Sequence, residues 1–290
     1  APTEIYTLSL HDALPICFSQ IFDNTGEEFP YQPSAAGTIQ QGCAARFSPS
    51  RLDNNVFWLG SDEHGNGMVW RLEGYAPRRV SNHAVEAALK TYARIDNAIG
   101  SSYQWKGHTF YRLTFPTPNK TWEFNVSEND WHESTWWSGL SEEADLGLFF
   151  AFAYGKHLWG SRNSGKIYQM SDSVITDDGT MIRRLRRFPH LTKNANRWRY
   201  HGLQLDVETG VGTAAGQGSD PQISLQWSND GGHNFPFERN VSAGKVGEYR
   251  HRAVTYQLGS ASDRVFQAVF TDPIVFVLKG TQLAASECLN

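Results

Sequence analysis

Three segments of this chain read as strand, polar turn, strand. They start at Val56, His108 and His157, 52 and 49 residues apart. VFWLG is followed by MVWRLEGY, HTFYRLTF by TWEFNV and then Trp131, and HLWGS by KIYQM. Aromatic and aliphatic residues alternate with polar ones, as they must on strands whose side chains point to opposite faces in turn. The connections SDEHGNG, PTPNK and RNSG supply the Gly, Pro, Asn and Asp that turns require. A strand-rich unit recurring at this spacing is the pattern of β-propeller blades, and Trp122, Phe124 and Trp131 give the middle unit a kelch-like look. Three units are fewer than a closed propeller needs. The reading therefore expects either a further, irregular blade from Phe22 to Phe47 or an upstream part absent from the sequence.

Composition supports sheets. Aromatic residues make up 13% of the 290, with ten Trp and eleven Tyr against three Met, and 26 Gly supply turns. Between the first two units, SNHAVEAALKTYARI predicts a helix capped by Ser81, with Val85, Ala88 and Leu89 at helical spacing and Gly100 beyond its end. No run is long and apolar enough to cross a membrane as a helix. Cys17, Cys43 and Cys288 form neither a metal-ligating spacing nor a disulfide framework. The net charge of −4 gives no bulk attraction to nucleic acid.

That charge is unevenly placed. Met181 to Tyr200 holds seven basic residues and no acid: Arg183, Arg184, Arg186, Arg187, Lys193, Arg197 and Arg199. The remainder has 19 basic against 30 acidic residues. The strip has three readings. It pairs with acidic patches on neighbouring subunits, it contacts DNA phosphates, or it is a strand with Ile182, Leu185 and Phe188 inward and arginines in water. The Gly-rich stretch Thr213 to Pro221 then reads as a connector. From Leu225 to Pro273, alternating runs broken by Asn-Asp-Gly-Gly, Ala-Gly-Lys and Gly-Ser predict a small antiparallel module, closed by the strand pair DRVFQAVF and PIVFVLKG.

Within it, SNDGGHNF fits the Asp-box, Ser-x-Asp-x-Gly-x-x-aromatic. Ser228 and Asp230 hydrogen-bond turn backbone, Gly232 supplies positive φ and Phe235 pins the hairpin to a core. Asp-boxes decorate sialidase propellers, which raises a carbohydrate-active or carbohydrate-binding propeller, or a secreted lectin, as competing readings. The box is structural in those enzymes, and it occurs once here. GSRNSGKI resembles a phosphate-binding loop but ends in Ile167 where a magnesium-ligating hydroxyl belongs. No nucleophile elbow or His-Glu-x-x-His is present, so the sequence predicts no catalytic residue, no metal site and no cofactor.

Phrases along the chain resemble the packaged-DNA stabilisation (tail hub) proteins of short-tailed bacteriophages. They include NNVFWLGSDEHGNGMVWRLEGYAPRRVSNHAVE, GHTFYRLTFPTPNKTWEFNV, AYGKHLWG, SGKIYQMSD, GLQLDVETGVG, QWSNDGGHNF, SAGKVGEYRHR and DRVFQAVFTDP. The resemblance runs from about Gly42 to Gly280 and departs from the family only in its start. Residues 1–16, with TEIYTLSLHDALPI, resemble translated sequencing-adapter read-through from a metagenomic gene, which places them outside the fold and implies a missing N-terminal portion. The resemblance implies a non-enzymatic virion component, assembled in the host cytoplasm as a homo-oligomeric ring in the tail conduit. It implies contacts with portal or adaptor, tail needle and tailspike proteins, sequence-independent contact with packaged DNA, and no membrane. The reading as a whole is all-β: incomplete propeller-like blades over 17–180, a basic strand and connector over 181–220, and a sandwich-like module over 221–290.

Overall fold

The computed structural model describes residues 4–6, 19–24, 31–39, 41–62, 64–74, 76–192 and 196–288. Nearly every element is a strand, and the chain divides into two compact units, the second formed largely by Ser171–Asn290.

The first unit is a series of antiparallel meanders. A three-stranded sheet (Glu4–Tyr6, Ser19–Asn24, Tyr31–Ile39) occupies the region expected to give an irregular blade. Of residues 1–16, set outside the fold by the sequence reading, Glu4–Tyr6 lies as the edge strand of this sheet. The rest of residues 1–16, and Cys17 after them, lie outside the described residues. Next come a four-stranded sheet (Ser50–Leu52, Asn55–Ser61, Gly67–Glu73, Ala76–Arg79) and a second (Ile99–Trp105, His108–Phe115, Lys120–Asn125, Asp130–Glu133). A three-stranded one follows (Gly147–Ala153, Lys156–Ser161, Ile167–Gln169).

The predicted units thus fall inside the blades, and the first strand of each blade, Ser50–Leu52, Ile99–Trp105 and Gly147–Ala153, is added by the structure. The reason is turn chemistry. The first hairpin of each blade closes through two residues with positive φ: Asp53-Asn54, Lys106-Gly107 and Tyr154-Gly155. Such two-residue loops match the twist of the strands they join, but Lys and Tyr are not residues from which one reads them.

The blades stack through their faces. In the first, Phe57, Leu59 and Val69 point toward the second blade, while Trp58 and Leu72 cluster with Ile39 of the preceding sheet. In the second, register places Tyr111, Phe124 and Trp131 in one cross-strand row. The Tyr111 ring stacks on Phe57 at 5.1 Å, and the Tyr111 hydroxyl donates to the Ser48 carbonyl at 2.8 Å. The helix, His83–Lys90, lays Val85 and Leu89 on the same core. Its cap is Asn82, whose side chain accepts the Val85 amide, rather than Ser81. Ser81 is committed elsewhere, with its hydroxyl accepting from the Val69 amide and donating to Glu86.

The second unit holds two sheets around one core. In the first sheet the order is Arg184–Arg187, Asp263–Phe270, Gln222–Ser228, Phe237–Ser242, with Leu191–Thr192 also paired to Asp263–Phe270. In the second, Trp198–Val207 pairs with Ala253–Tyr256, with Ser260–Ala261 and, along its whole length, with Leu278–Glu287. Ile223, Leu225, Trp227, Phe266 and Phe270 meet Tyr200, Leu203 and Leu205 in between. The predicted terminal strand pair is corrected here. The last strand begins at Leu278, runs to Glu287 and joins the other sheet. Thr271–Val277 crosses between sheets, with Ile274 buried and Phe276 stacked on Phe270 at 4.1 Å, so its apolar alternation fills core without pairing. The Gly-rich connector is a closed loop in which the Thr213 amide donates to the Gly218 carbonyl at 2.9 Å and the Thr213 hydroxyl reaches the Ala215 and Gln217 carbonyls.

Candidate functional site

The Asp-box forms as a self-contained turn. The Ser228 hydroxyl oxygen accepts from the amides of Asp230 and Gly232 at 3.2 and 2.9 Å, and the hydroxyl donates to Asp230 Oδ1. Asp230 accepts in addition from the His233 and Asn234 amides and from the Asn234 side chain. The Ser228 hydroxyl, then the Asn234 groups, hold the Asp230 carboxyl well below its usual range. Four of this carboxylate's bonds thus come from within its own turn, which fixes its orientation there. Phe235 is half-buried rather than deep in a core, and the Arg187 guanidinium lies over its ring at 4.8 Å.

The turn is also anchored from below. Arg264, 1% exposed, donates from Nε to Asn229 Oδ1 at 2.9 Å and from a terminal nitrogen to the Leu258 carbonyl at 2.6 Å. Its guanidinium sits 4.3 Å from the Tyr200 ring centre. Burial lowers the basicity of this arginine, with Tyr200 working the other way.

The arginine strip does not form one surface. Arg183–Arg187 border one sheet, whereas Arg197 and Arg199 lie on or beside the central strand of the other, and Lys193 is outside the described residues. Arg197 donates to the Ser260 hydroxyl, Arg183 lies over the Trp137 ring, and Arg187 donates to Gln267 Oε1. Cross-strand register also reverses the expected facing. Arg184 and Arg186 stand opposite Phe270 and Ala268, which belong to the core, and Leu185 stands opposite Val269 on the outer face and is 41% exposed. Edge position explains this. At the rim of a sandwich the inward face opens to water, so long arginine stems lie on apolar surface while their heads stay wet. Phe188 does turn to the core, as expected.

A third constellation, in the second blade, was not read from the sequence. On the face opposite the Tyr111 row, register aligns Arg112, Glu123 and His132 across three strands. Arg112 and Glu123 are 6% and 5% exposed. Arg112 Nε donates to Glu123 Oε1 at 2.5 Å, and a terminal nitrogen meets Asp145 Oδ1 at 3.0 Å. The Tyr103 hydroxyl donates to the same Glu123 oxygen, and His132 Nε2 lies 2.9 Å from the other. The Arg112 guanidinium covers the third blade's Trp159 at 4.1 Å. Burial alone would push the Glu123 carboxyl up, but Arg112 and then His132 outweigh it and bring it to about 2. Burial likewise pushes the Tyr103 hydroxyl up. This is a buried, neutralised joint between blades. Among the described residues no group of His, Cys, Asp and Glu is placed to hold a metal ion, and Cys43 and Cys288 are free thiols.

Fold and sites together define a two-domain β protein, blades followed by a sandwich, whose polar clusters brace structure, and among the described residues no helix is long and apolar enough to cross a membrane. Residues 17–175 match the family described as Bacteriophage P22 Gp10, beta-propeller, and residues 183–286 match Bacteriophage P22 Gp10, beta-sandwich. The chain belongs to the bacteriophage P22 Gp10 family of phage structural proteins. No curated protein sequence matches it. Among solved structures it is similar to a glycoside hydrolase family 43 arabinoxylan arabinofuranohydrolase from Bacillus subtilis. That likeness has 10% identity and a TM-score of 0.21, and covers 93% of this chain and 58% of that one. So weak a likeness assigns no activity.

Proposed function

We propose that this protein is a non-enzymatic part of a phage tail that helps retain packaged DNA once the head is full. It assembles in the host cytoplasm as a homo-oligomeric ring beneath portal and adaptor and offers surfaces to needle and tailspike proteins. The observation that carries the reading is the ordered pair of family matches, propeller then sandwich, which leaves little of the chain outside. Physical support comes from where the charged groups are used. Asp230, Glu123 and Asp145 are consumed by their own turn or by Arg112, which suits a rigid part rather than a reacting one. Rigid, edge-protected blades present loops for subunit contacts. Arg199 and the edge-strand residues Arg184 and Arg186 are the candidates for sequence-independent contact with DNA or with acidic neighbours.

Electron micrographs of the purified protein with portal–adaptor particles test the reading, and ring-shaped density on the particle is the expected result. Hydrolysis of a sialoside or glycan panel, abolished by substitution of one carboxylate, would instead establish the carbohydrate-active alternative.

A further inference from the structure

The two mouths of the sandwich are finished differently. At one, Arg239 of the Phe237–Ser242 edge strand spans to the other sheet, donating to Thr255 Oγ1 at 3.0 Å and to the Tyr256 carbonyl. At the other, Arg184–Arg187 is the edge of the first sheet and Leu278–Glu287 the edge of the second, and each pairs on one side only among the described residues. Between them lies a cleft of about 440 Å³ floored by Ala268, Phe270 and Phe276 and rimmed by Arg184, Arg186 and Lys279. One terminal nitrogen of Arg184 is shut off from solvent there with no hydrogen-bond partner. Burial lowers the basicity of Arg184, which Asp177 only partly offsets.

We propose that this cleft binds an extended segment of a partner protein in which acidic and apolar residues alternate, added as a strand to one of the open edges. The inference rests on the tail reading above and gives its partner contacts a place and a chemistry. Two unpaired edges offer backbone donors and acceptors at strand spacing, which is how extended peptides are taken up. Alternation sorts the partner's side chains: acidic ones turn into the cleft to meet Arg184, Arg186 and Lys279, and apolar ones lie on the outer face beside the exposed Leu185. Charge selects the occupant, because the rim carries three cations. A second copy of this chain is the poorer fit: in its acidic stretch before the third blade, Glu143 is held by Arg162 and Asp145 by Arg112.

The test uses the full chain and a fluorescein-tagged peptide of about eight residues, long enough to span a strand, alternating Glu with Val. A control peptide alternates Lys with Val. Fluorescence anisotropy is expected to rise with protein for the Glu peptide alone, and the affinity to fall about tenfold or more in Arg186→Glu. Lys279→Glu, on the opposite rim and exposed to solvent, is expected to weaken binding as well and guards against a folding artefact in the first variant. Bound peptide is expected to slow amide exchange in Arg184–Arg187 or Leu278–Gln282. No binding, equal binding of the Lys peptide, or indifference to both substitutions would overturn the proposal and leave the cations as guards against edge pairing. If the protein still decorates portal–adaptor particles in that case, the tail reading stands and only the cleft assignment falls. Self-association that disappears in Arg186→Glu while the peptide is ignored would overturn it in favour of a second copy.

Discussion

Each unit of this protein buries an arginine, and the two do so on opposite terms. Arg112, in the propeller blades, is neutralised by Glu123 and Asp145 and stacked on Trp159. Arg264, in the sandwich, is satisfied by an amide oxygen, a carbonyl and the Tyr200 ring, and no carboxylate pairs with it among the described residues. The first arrangement joins two blades and makes their packing depend on ionisation. The second pins a turn to a core and does not. Removing one partner of a buried ion pair is costly because the other charge stays buried alone, whereas losing a neutral acceptor's donor costs the desolvation of that acceptor.

The largest expected effect follows from that difference. Glu123→Gln is expected to destabilise the propeller unit by about 3–5 kcal/mol, read as loss of the blades' unfolding transition, since Asp145 is then the one carboxylate left to Arg112 among the described residues. The double variant Arg112→Met with Glu123→Leu is expected to recover much of the loss, and a double variant as unstable as Glu123→Gln would deny that charge is the issue. Next in size is pH. Glu123 falls from an ordinary 4.5 to about 2 on folding. Its contribution is therefore complete above the unfolded value and disappears as pH drops from about 4.5 toward 2, on the order of 3 kcal/mol in all. Acid titration of the unfolding midpoint is expected to move the blades through that window, and Glu123→Gln to flatten the response. Arg264→Met is expected to cost the sandwich about 1–3 kcal/mol, for the stranded Asn229 and Leu258 oxygens, with no added acid sensitivity. Ser228→Ala, which removes the acceptor for two turn amides, is expected to cost about 1 kcal/mol. Smallest, and opposite in sign, Tyr154→Gly is expected to stabilise by about 0.5–1 kcal/mol, because Tyr154 is 95% exposed at φ 54.

Much of this was legible in sequence where side chains alternate strongly. VFWLG, HTFYRLTF and TWEFNV each became a blade's middle strands because aromatic and β-branched residues mark a half-buried pleat. Strands without that mark escaped. GTQLAASE, poor in aromatics, pairs along Trp198–Val207 because its partner exposes an edge, not because its own residues demand a strand. The Asp-box turn followed from its residues, since Ser, Asp and Gly act within a few positions of one another. The Arg112 joint could not be seen. Its members come from separate strands, and only the register that sets Arg112 against Glu123, and Glu123 against His132, makes them neighbours. The arginine strip misled for a related reason: a run of like residues suggests one surface, but Leu191–Thr192 ends one sheet's pairing before Trp198 begins the other's.

The most direct test of the tail assignment is DNA retention. Filled phage heads that carry portal and adaptor but lack their own Gp10-type protein are incubated with this chain, and nuclease-sensitive DNA is measured. The assignment predicts that the protein sediments with the heads and that the sensitive fraction falls. Heads that leak as before, with the protein left in the supernatant, would contradict it.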